Sequence, residues 1–114
     1  MSKTIFLDID GVIFGETGTG LSGVFDDLSL LPGVIDKLDA WERMKYTVVL
    51  TTARPESLRS HTIRQLEAHK VYYDMLLMGL PSPRVVINDL GLAGENKAFA
   101  VNIPKGIGLS DCNV

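Results

Sequence analysis

The sequence is poor in the residues that build disulfides, thiolate metal clusters and membrane spans. Its 114 residues include one cysteine, Cys112, which cannot form an internal disulfide or a cysteine cluster on its own. No stretch approaches the ~18 consecutive apolar residues of a membrane helix. Asp8 and Asp10 also interrupt the first apolar run before a signal-peptide core could form. These absences predict a cytoplasmic protein with no membrane partner.

The sequence also lacks a run of basic residues. Eleven Lys and Arg stand against 14 Asp and Glu, which gives a net charge of -3, so nucleic acid is an unlikely partner. The apolar fraction of 46% and the charged fraction of 22% are typical of a folded globular protein. The length predicts one domain, which we assign to residues 1–109, with residues 110–114 as a loose C-terminal tail.

Short apolar runs alternate with helical patterns along the chain. A strand is predicted over residues 4–9 and another over 47–52, with helices over about 33–44 and 55–70; further apolar runs lie at 75–78, 85–87 and 99–103. This alternation predicts an α/β fold with a mainly parallel sheet. The five residues 79–83 are too few for a regular parallel crossover, so the run at 75–78 is expected to be a short edge strand or to run in the opposite direction.

Helical spacing also predicts part of the core. Val34, Leu38 and Trp41 share one face of the first helix. In the second helix, Leu58, Thr62 and Leu66 lie on one face, which is predicted to point toward the core. Between the first strand and the first helix, the glycine-rich residues 11–23 predict a small hairpin or flap.

Two carboxylates stand at the end of the first buried strand. Asp8 and Asp10 are two residues apart in extended chain, so both side chains can face one ligand. Ligands of open α/β sheets bind outside the carboxyl ends of the strands, and two close carboxylates repel unless a cation or a shared proton intervenes. The pair therefore predicts a metal site, although an acidic pair that merely ends a strand, with Asp10-Gly11 as a turn, is the alternative.

Two other apolar strands end in polar residues. The strand at 47–52 ends in Thr51-Thr52 and is followed by Arg54, and the run at 85–87 ends in Asn88-Asp89. Three strands thus deliver polar groups to the same edge of one sheet, which is a stronger indication of a site than any of the groups alone.

The three motifs together resemble those of the haloacid dehalogenase superfamily of phosphohydrolases. The first is residues 8–12, the second residues 48–54 and the fourth residues 85–89, and the resemblance covers about residues 3–104. It is greatest for short members without a cap domain, which include predicted sugar-phosphate phosphatases. The resemblance implies a Rossmann-like, three-layer sandwich with a mainly parallel sheet.

The resemblance also implies the roles of the acidic residues. Asp8 is expected to be the nucleophile that takes the phosphoryl group, and Asp10 the general acid and base. Mg²⁺ is the expected cofactor, held by the side chains of Asp8 and Asp89 and by the backbone carbonyl of Asp10. Asn88 stands where related members often carry an aspartate, which makes one outer ligand neutral.

The phosphoryl group is expected to contact the second motif. Thr52 would hold a phosphoryl oxygen, with Ala53 and Arg54 beside it, since a guanidinium suits phosphate geometry. A β-branched residue that merely favours the strand is the alternative for Thr52.

One cation of the family pattern is missing. A lysine is expected in a Gly-Lys-Pro turn before the fourth strand, and here the turn reads Gly79-Leu80-Pro81. We assign its role to Arg54. Arg84 starts an extended strand and would lie roughly 16 Å from Asp89, so a surface position is expected for it; Lys97 and Lys105 are further alternatives.

The sequence therefore predicts a Mg²⁺-dependent phosphomonoester phosphatase that acts on a small molecule such as a sugar phosphate. A non-catalytic phosphate- or metal-binding domain on the same fold is the alternative, because Leu80 and Asn88 depart from the pattern. Since no cap can close over the site, either a large substrate covers it or neighbouring subunits of a homo-oligomer do, and we expect the second.

Overall fold

The computed structural model describes residues 2–15 and 28–114. Residues 16–23 of the predicted flap lie outside the described part. In chain order, the elements are β1 (Thr4–Asp8), β2 (Phe14–Gly15), β3 (Ser29–Leu30), α1 (Val34–Arg43), β4 (Thr47–Thr51), a 3-10 helix (Glu56–Leu58), α2 (Arg59–Ala68) and β5 (Met75–Leu77).

The main sheet is parallel and has three strands in the order β1-β4-β5. Asp8 pairs in register with Thr51, which in turn pairs with Leu77, so the carboxyl ends of all three strands lie at one edge. The α/β class and the parallel sheet predicted from the sequence are confirmed. The run at 75–78 forms an edge strand, and it is parallel to β4.

The amphipathic pattern of α1 buries the face predicted for it. Val34, Leu38 and Trp41 are 1–3% exposed. Gly33 precedes the helix with φ +78, and a Cβ there would lie 2.4 Å from the backbone nitrogen of Ser110. A glycine is therefore required both by the left-handed backbone and by the close approach of the C-terminal segment.

The second predicted helix begins as one 3-10 turn after Pro55 and continues as α2. Thr62 and Leu66 are buried, and Leu58 packs against the core, as the spacing predicted. Beyond Asp10, β2 and β3 pair as antiparallel strands; β2 lies within the hairpin predicted over residues 11–23, and β3 lies after it.

The hydrophobic core lies between the sheet and the helices, where it gathers the apolar faces of both. Its buried members are Leu7, Ile9, Ile13, Phe14, Leu28, Val34, Leu38, Trp41, Val48, Leu50, Leu66, Val71, Leu76, Met78 and Leu109. The core fixes β1 beside β4, and this places their ends at the candidate site.

The strands predicted at 85–87 and 99–103 are wrong. Within the described residues, no strand follows Leu77, and Val85, Ile87 and Phe99 are 80–89% exposed. An apolar run matches the composition of a buried strand, but a strand also needs a neighbour for its backbone hydrogen bonds. Here the turn after β5 brings Arg84 near Asp8, and residues 85–87 pair with no described strand.

The C-terminal segment packs against the domain near residue 109, and the tail predicted at residues 110–114 stays a prediction. Leu109 is 1% exposed, and its backbone nitrogen donates to the carbonyl of Pro32 over 2.7 Å. Cys112 packs against the core from a partly buried position. The domain limit at residue 109 stays a prediction. No helix in the described part of the chain is long and apolar enough to cross a bilayer.

Candidate active site

Asp8 is the last residue of β1, at the carboxyl edge of the sheet. Its Oδ1 accepts a hydrogen bond from the backbone nitrogen of Ile9 at 3.1 Å, and its side chain is 43% exposed. The carboxylate is therefore anchored by the backbone and still accessible to a ligand.

Opposing effects act on the pKa of Asp8, and together they raise it. The largest is partial burial, which disfavours the charged form, and the negative charge of Asp10 acts in the same direction. The Arg84 guanidinium and the Ile9 N–H lower the pKa but do not cancel the rise. A cation near Asp8 would thus stabilise the ionised form that a nucleophile needs.

Asp10 forms a two-point ion pair with Arg54. The Arg54 Nε donates to Oδ2 of Asp10 at 2.8 Å and Nη2 donates to Oδ1 at 2.6 Å. The side chains are 3% exposed for Arg54 and 31% for Asp10. This parallel arrangement is the strong geometry for a guanidinium and a carboxylate, and it fixes the orientation of Asp10.

Arg54 is held from its other side by α2. Its Nη1 donates to Oγ1 of Thr62 at 3.0 Å and to Oε1 of Gln65 at 2.6 Å. With four hydrogen bonds inside the protein, the guanidinium is committed to Asp10 and α2. This geometry does not favour the role of charge-offsetting cation that the sequence suggested for Arg54.

The other two residues of the second motif differ in exposure. Thr52 is 1% exposed, and its Oγ1 accepts from the backbone nitrogen of Arg54 at 3.1 Å, so this hydroxyl shapes the loop. Ala53 is exposed. The phosphate-binding roles of Thr52, Ala53 and Arg54 stay predictions.

Arg84 is exposed, as expected, but it lies beside Asp8, which the sequence did not predict. Its Nη1 is 3.9 Å from Oδ1 of Asp8, and its Nη2 donates to the carbonyl of Leu80 at 2.9 Å. The expectation assumed an extended strand from residue 84, and the chain instead folds back at this point. Sequence spacing carried no signal for that turn.

Asp89 pairs with Lys97, and both side chains are exposed. In the described residues there is no group of three or more His, Cys, Asp or Glu that could hold a metal ion. The metal-ligand roles of Asp8, Asp10 and Asp89 stay predictions. Because 85–87 forms no strand, Asp89 is not carried to the edge of the sheet in the way the sequence predicted.

Lys105 approaches the turn after Asp10. A Cβ built on Gly11 would lie 2.8 Å from the Lys105 Cγ, and the Gly106 nitrogen donates to the carbonyl of Gly11 at 2.8 Å. The C-terminal segment thus borders the site, and Lys105 is a second cation in its neighbourhood. The sequence named this residue only as an alternative.

Two site residues on α2 were not predicted as functional. The sequence placed Thr62 on the inner face of its helix, and a polar side chain at a core position is itself a sign of a buried partner. Gln65, one turn away, carried no such sign.

No protein-family model and no curated protein sequence matches the chain. Among solved structures, it is similar to a chain of a Pnkp1/Rnl/Hen1 complex, with a TM-score of 0.60 and 26% identity over 68% of this chain. A structure of the Pnkp1/Rnl/Hen1 RNA repair complex gives a TM-score of 0.59 and 26% identity, also over 68%.

In both cases this chain spans only about a quarter of the longer chain, 27% and 25% of its length. A crystal structure of a target protein from Vibrio cholerae is similar in size, with a TM-score of 0.54 and 19% identity over 76% of this chain and 80% of that one. That likeness supports the α/β fold alone.

Proposed function

We propose that this protein is a phosphomonoester phosphatase of the haloacid dehalogenase type, with Asp8 as nucleophile and Asp10 as general acid and base. The observation that carries the proposal is the arrangement at the carboxyl edge of the sheet. There, an accessible Asp8 lies beside a guanidinium, and Asp10 is held in one orientation by Arg54. The similarity to chains of an RNA repair complex supports chemistry on phosphate esters.

The proposed reaction has two displacements at phosphorus. An Oδ of Asp8 forms a bond to phosphorus while the ester P–O bond breaks, and the leaving oxygen takes a proton from Asp10. Water then attacks the aspartyl-phosphate, gives a proton to Asp10 and releases inorganic phosphate. The P–O bond to Asp8 breaks in this step, which restores both carboxyls.

Arg54 acts through Asp10 and is a positioning residue. Both oxygens of Asp10 accept from the guanidinium, so the pair fixes the orientation of the carboxyl that is proposed to give and take the proton. Donation to the leaving group first requires Asp10 to gain a proton. The anchors on Thr62 and Gln65 hold the guanidinium in place throughout.

Mg²⁺ is the proposed cofactor, and the described residues fit it in part. Mg²⁺ is commonly bound by one or two carboxylates, several waters and the substrate's phosphate, and Asp8 with the Asp10 carbonyl could supply the protein ligands. Asp89 is paired with Lys97. When bound, the ion would neutralise charge on the phosphoryl oxygens.

The proposed substrate is a small phosphomonoester such as a sugar phosphate. A phosphorylated RNA end is the second candidate, which the similarity to an RNA repair complex favours and the net charge of -3 disfavours. We also propose that neighbouring subunits of a homo-oligomer cover the open site.

An activity screen tests the proposal. The purified protein is assayed for phosphate release from an aryl phosphate, sugar phosphates, nucleotides and phosphorylated RNA oligonucleotides, each with Mg²⁺ and with a chelator. We expect Mg²⁺-dependent release that Asp8→Asn abolishes and that the exposed-site control Asp39→Asn leaves unchanged. Binding of inorganic phosphate without turnover of any substrate would favour the non-catalytic alternative.

A further inference from the structure

The turn after β5 is fastened to the candidate site by its backbone. The Gly79 nitrogen donates to the carbonyl of Arg54 at 2.8 Å, and the Leu80 nitrogen donates to the carbonyl of Thr52 at 3.0 Å. Gly79 has φ +72, a conformation in which glycine avoids the strain of a side chain. Residues 79–80 are therefore fixed against the loop that follows β4.

The turn in turn positions Arg84. Its Nη2 donates to the Leu80 carbonyl at 2.9 Å. Because the Leu80 nitrogen is itself bonded to the Thr52 carbonyl, this contact holds the guanidinium near the loop after β4. Its Nη1 then lies 3.9 Å from Oδ1 of Asp8. This separation is longer than a hydrogen bond, which leaves Nη1 close to Asp8 without being committed to it.

Two other basic side chains of this region, Arg54 and Lys97, already pair with carboxylates. Arg54 is 5% exposed, and its guanidinium donates hydrogen bonds to Asp10, Thr62 and Gln65. Lys97 is paired with Asp89.

We propose that Arg84 is the cation that binds the phosphoryl oxygens of the substrate at Asp8, a role left open by Leu80. This inference rests on the function proposed above and names a further catalytic residue for it. A phosphoryl group in transfer carries charge on its non-bridging oxygens, and a guanidinium presents N–H donors in a plane that matches them. Arg84 is 31% exposed at its side chain, so a ligand at Asp8 can reach it.

The proposed role also explains why Leu80 is tolerated. The backbone carbonyl of Leu80 accepts from Arg84, so the turn contributes a positioning contact that does not depend on the side chain at residue 80. A lysine introduced at residue 80 is expected to replace part of the function of Arg84 when Arg84 is removed.

Variants of Arg84 test the inference. We expect Arg84→Ala to lower kcat/KM for an aryl phosphate by about 100-fold, the lower end of the range for loss of one preorganised donor to a reacting oxyanion. Competitive inhibition by inorganic phosphate should weaken as well. Arg84→Lys should retain part of the activity, and Leu80→Lys should restore part of it to Arg84→Ala.

Matched controls keep the result specific. Arg64→Ala removes an exposed arginine from α2 and should change neither kcat/KM nor phosphate inhibition. Lys105→Ala tests the neighbouring cation, and a larger loss there than in Arg84→Ala would overturn the assignment. Thermal unfolding of each variant shows whether the fold is retained.

The outcomes separate this inference from the proposed function. Wild-type kcat/KM in Arg84→Ala, together with an inactive Asp8→Asn, would refute the role of Arg84 and leave the phosphatase intact. If the wild-type protein turns over no substrate, the proposed function fails, and calorimetric titration with inorganic phosphate still decides the inference. Weaker binding in Arg84→Ala supports an anion site at Arg84, and unchanged binding refutes it.

Discussion

Arg54 shows that a sequence can locate a residue without revealing its partners. Its position after β4 predicted a place at the carboxyl edge, and the structure puts it there. Its guanidinium donates to Asp10, Thr62 and Gln65, and only the folded arrangement of α2 reveals such partners. Contact between Arg54 and phosphate stays a prediction.

The buried Arg54 predicts a large effect on stability. Arg54→Met removes one partner of a mostly buried ion pair and all the Arg54 hydrogen bonds to Asp10, which we expect to lower the free energy of unfolding by roughly 3 kcal/mol. Denaturant unfolding measures the change. As a control, Glu56→Gln disrupts the exposed pair with Arg59 and should shift the midpoint little. Equal, small shifts in the two variants would contradict the buried network.

Asp8 predicts a pH-dependent stability. Because its pKa is raised in the folded protein, ionisation opposes folding, and the associated stability is present below the ordinary value of 3.8 and lost as the pH rises through the folded pKa. The melting temperature of Asp8→Asn minus that of the wild type should therefore be larger at pH 7 than at pH 3.5, measured with a chelator present.

The control for this experiment is Asp39→Asn, at an exposed position of α1. Its melting-temperature difference from the wild type should vary less between the two pH values. A difference for Asp8→Asn that is the same at both pH values, or smaller at pH 7, would contradict the raised pKa.

At the scale of elements, α1 could be predicted because its core contacts repeat along one helical face. The spacing of Val34, Leu38 and Trp41 indicates both a helix and the face that it buries. The run at 85–87 is apolar but too short to show a helical or strand period. Where such a segment lies depends on the turn before it, and the hydrogen bonds from Gly79, Leu80 and Arg84 that set this turn leave no periodic signal.

Two glycines in the C-terminal segment offer a matched test of its attachment. Gly106 and Gly108 both have φ +83; a Cβ at Gly106 meets nothing within 4 Å, whereas one at Gly108 would lie 2.3 Å from the carbonyl oxygen of Pro32. Each alanine variant should lose about 1 kcal/mol for the left-handed backbone. Gly108→Ala should lose roughly 1–3 kcal/mol more from the forced displacement of its neighbour.

Denaturant unfolding of both glycine variants gives the comparison. A clear excess loss for Gly108→Ala places the segment against Pro32 in solution. If the two variants are equally stable, the segment does not pack there.

At the scale of the whole molecule, the described part of the chain is elongated, with extents of 47 × 28 × 25 Å. Residues 84–90 and 92–102 are exposed throughout and contain no helix or strand. Large apolar side chains in this segment therefore face solvent, among them Val85, Val86, Ile87, Leu92 and Phe99. The parallel sheet, by contrast, is covered enough that Val48 and Leu50 are fully buried.

This difference predicts two classes of amide hydrogen exchange. Amides of β4 should be among the slowest in the protein, and those of residues 85–87 should exchange rapidly because they lack ladder partners. Exchange followed by mass spectrometry of peptides covers both segments in one experiment. Protection at 85–87 equal to that of β4 would contradict the exposed segment and support a fourth strand.

The proposal depends most directly on a phosphoryl group that moves to Asp8. Rapid acid quenching during turnover of an aryl phosphate, followed by mass spectrometry of peptides, measures this transfer. We expect one phosphoryl group on the peptide that contains Asp8, labile to hydroxylamine and absent from Asp8→Asn. Turnover with an unmodified Asp8, or modification and turnover that persist in Asp8→Asn, would contradict the proposed mechanism.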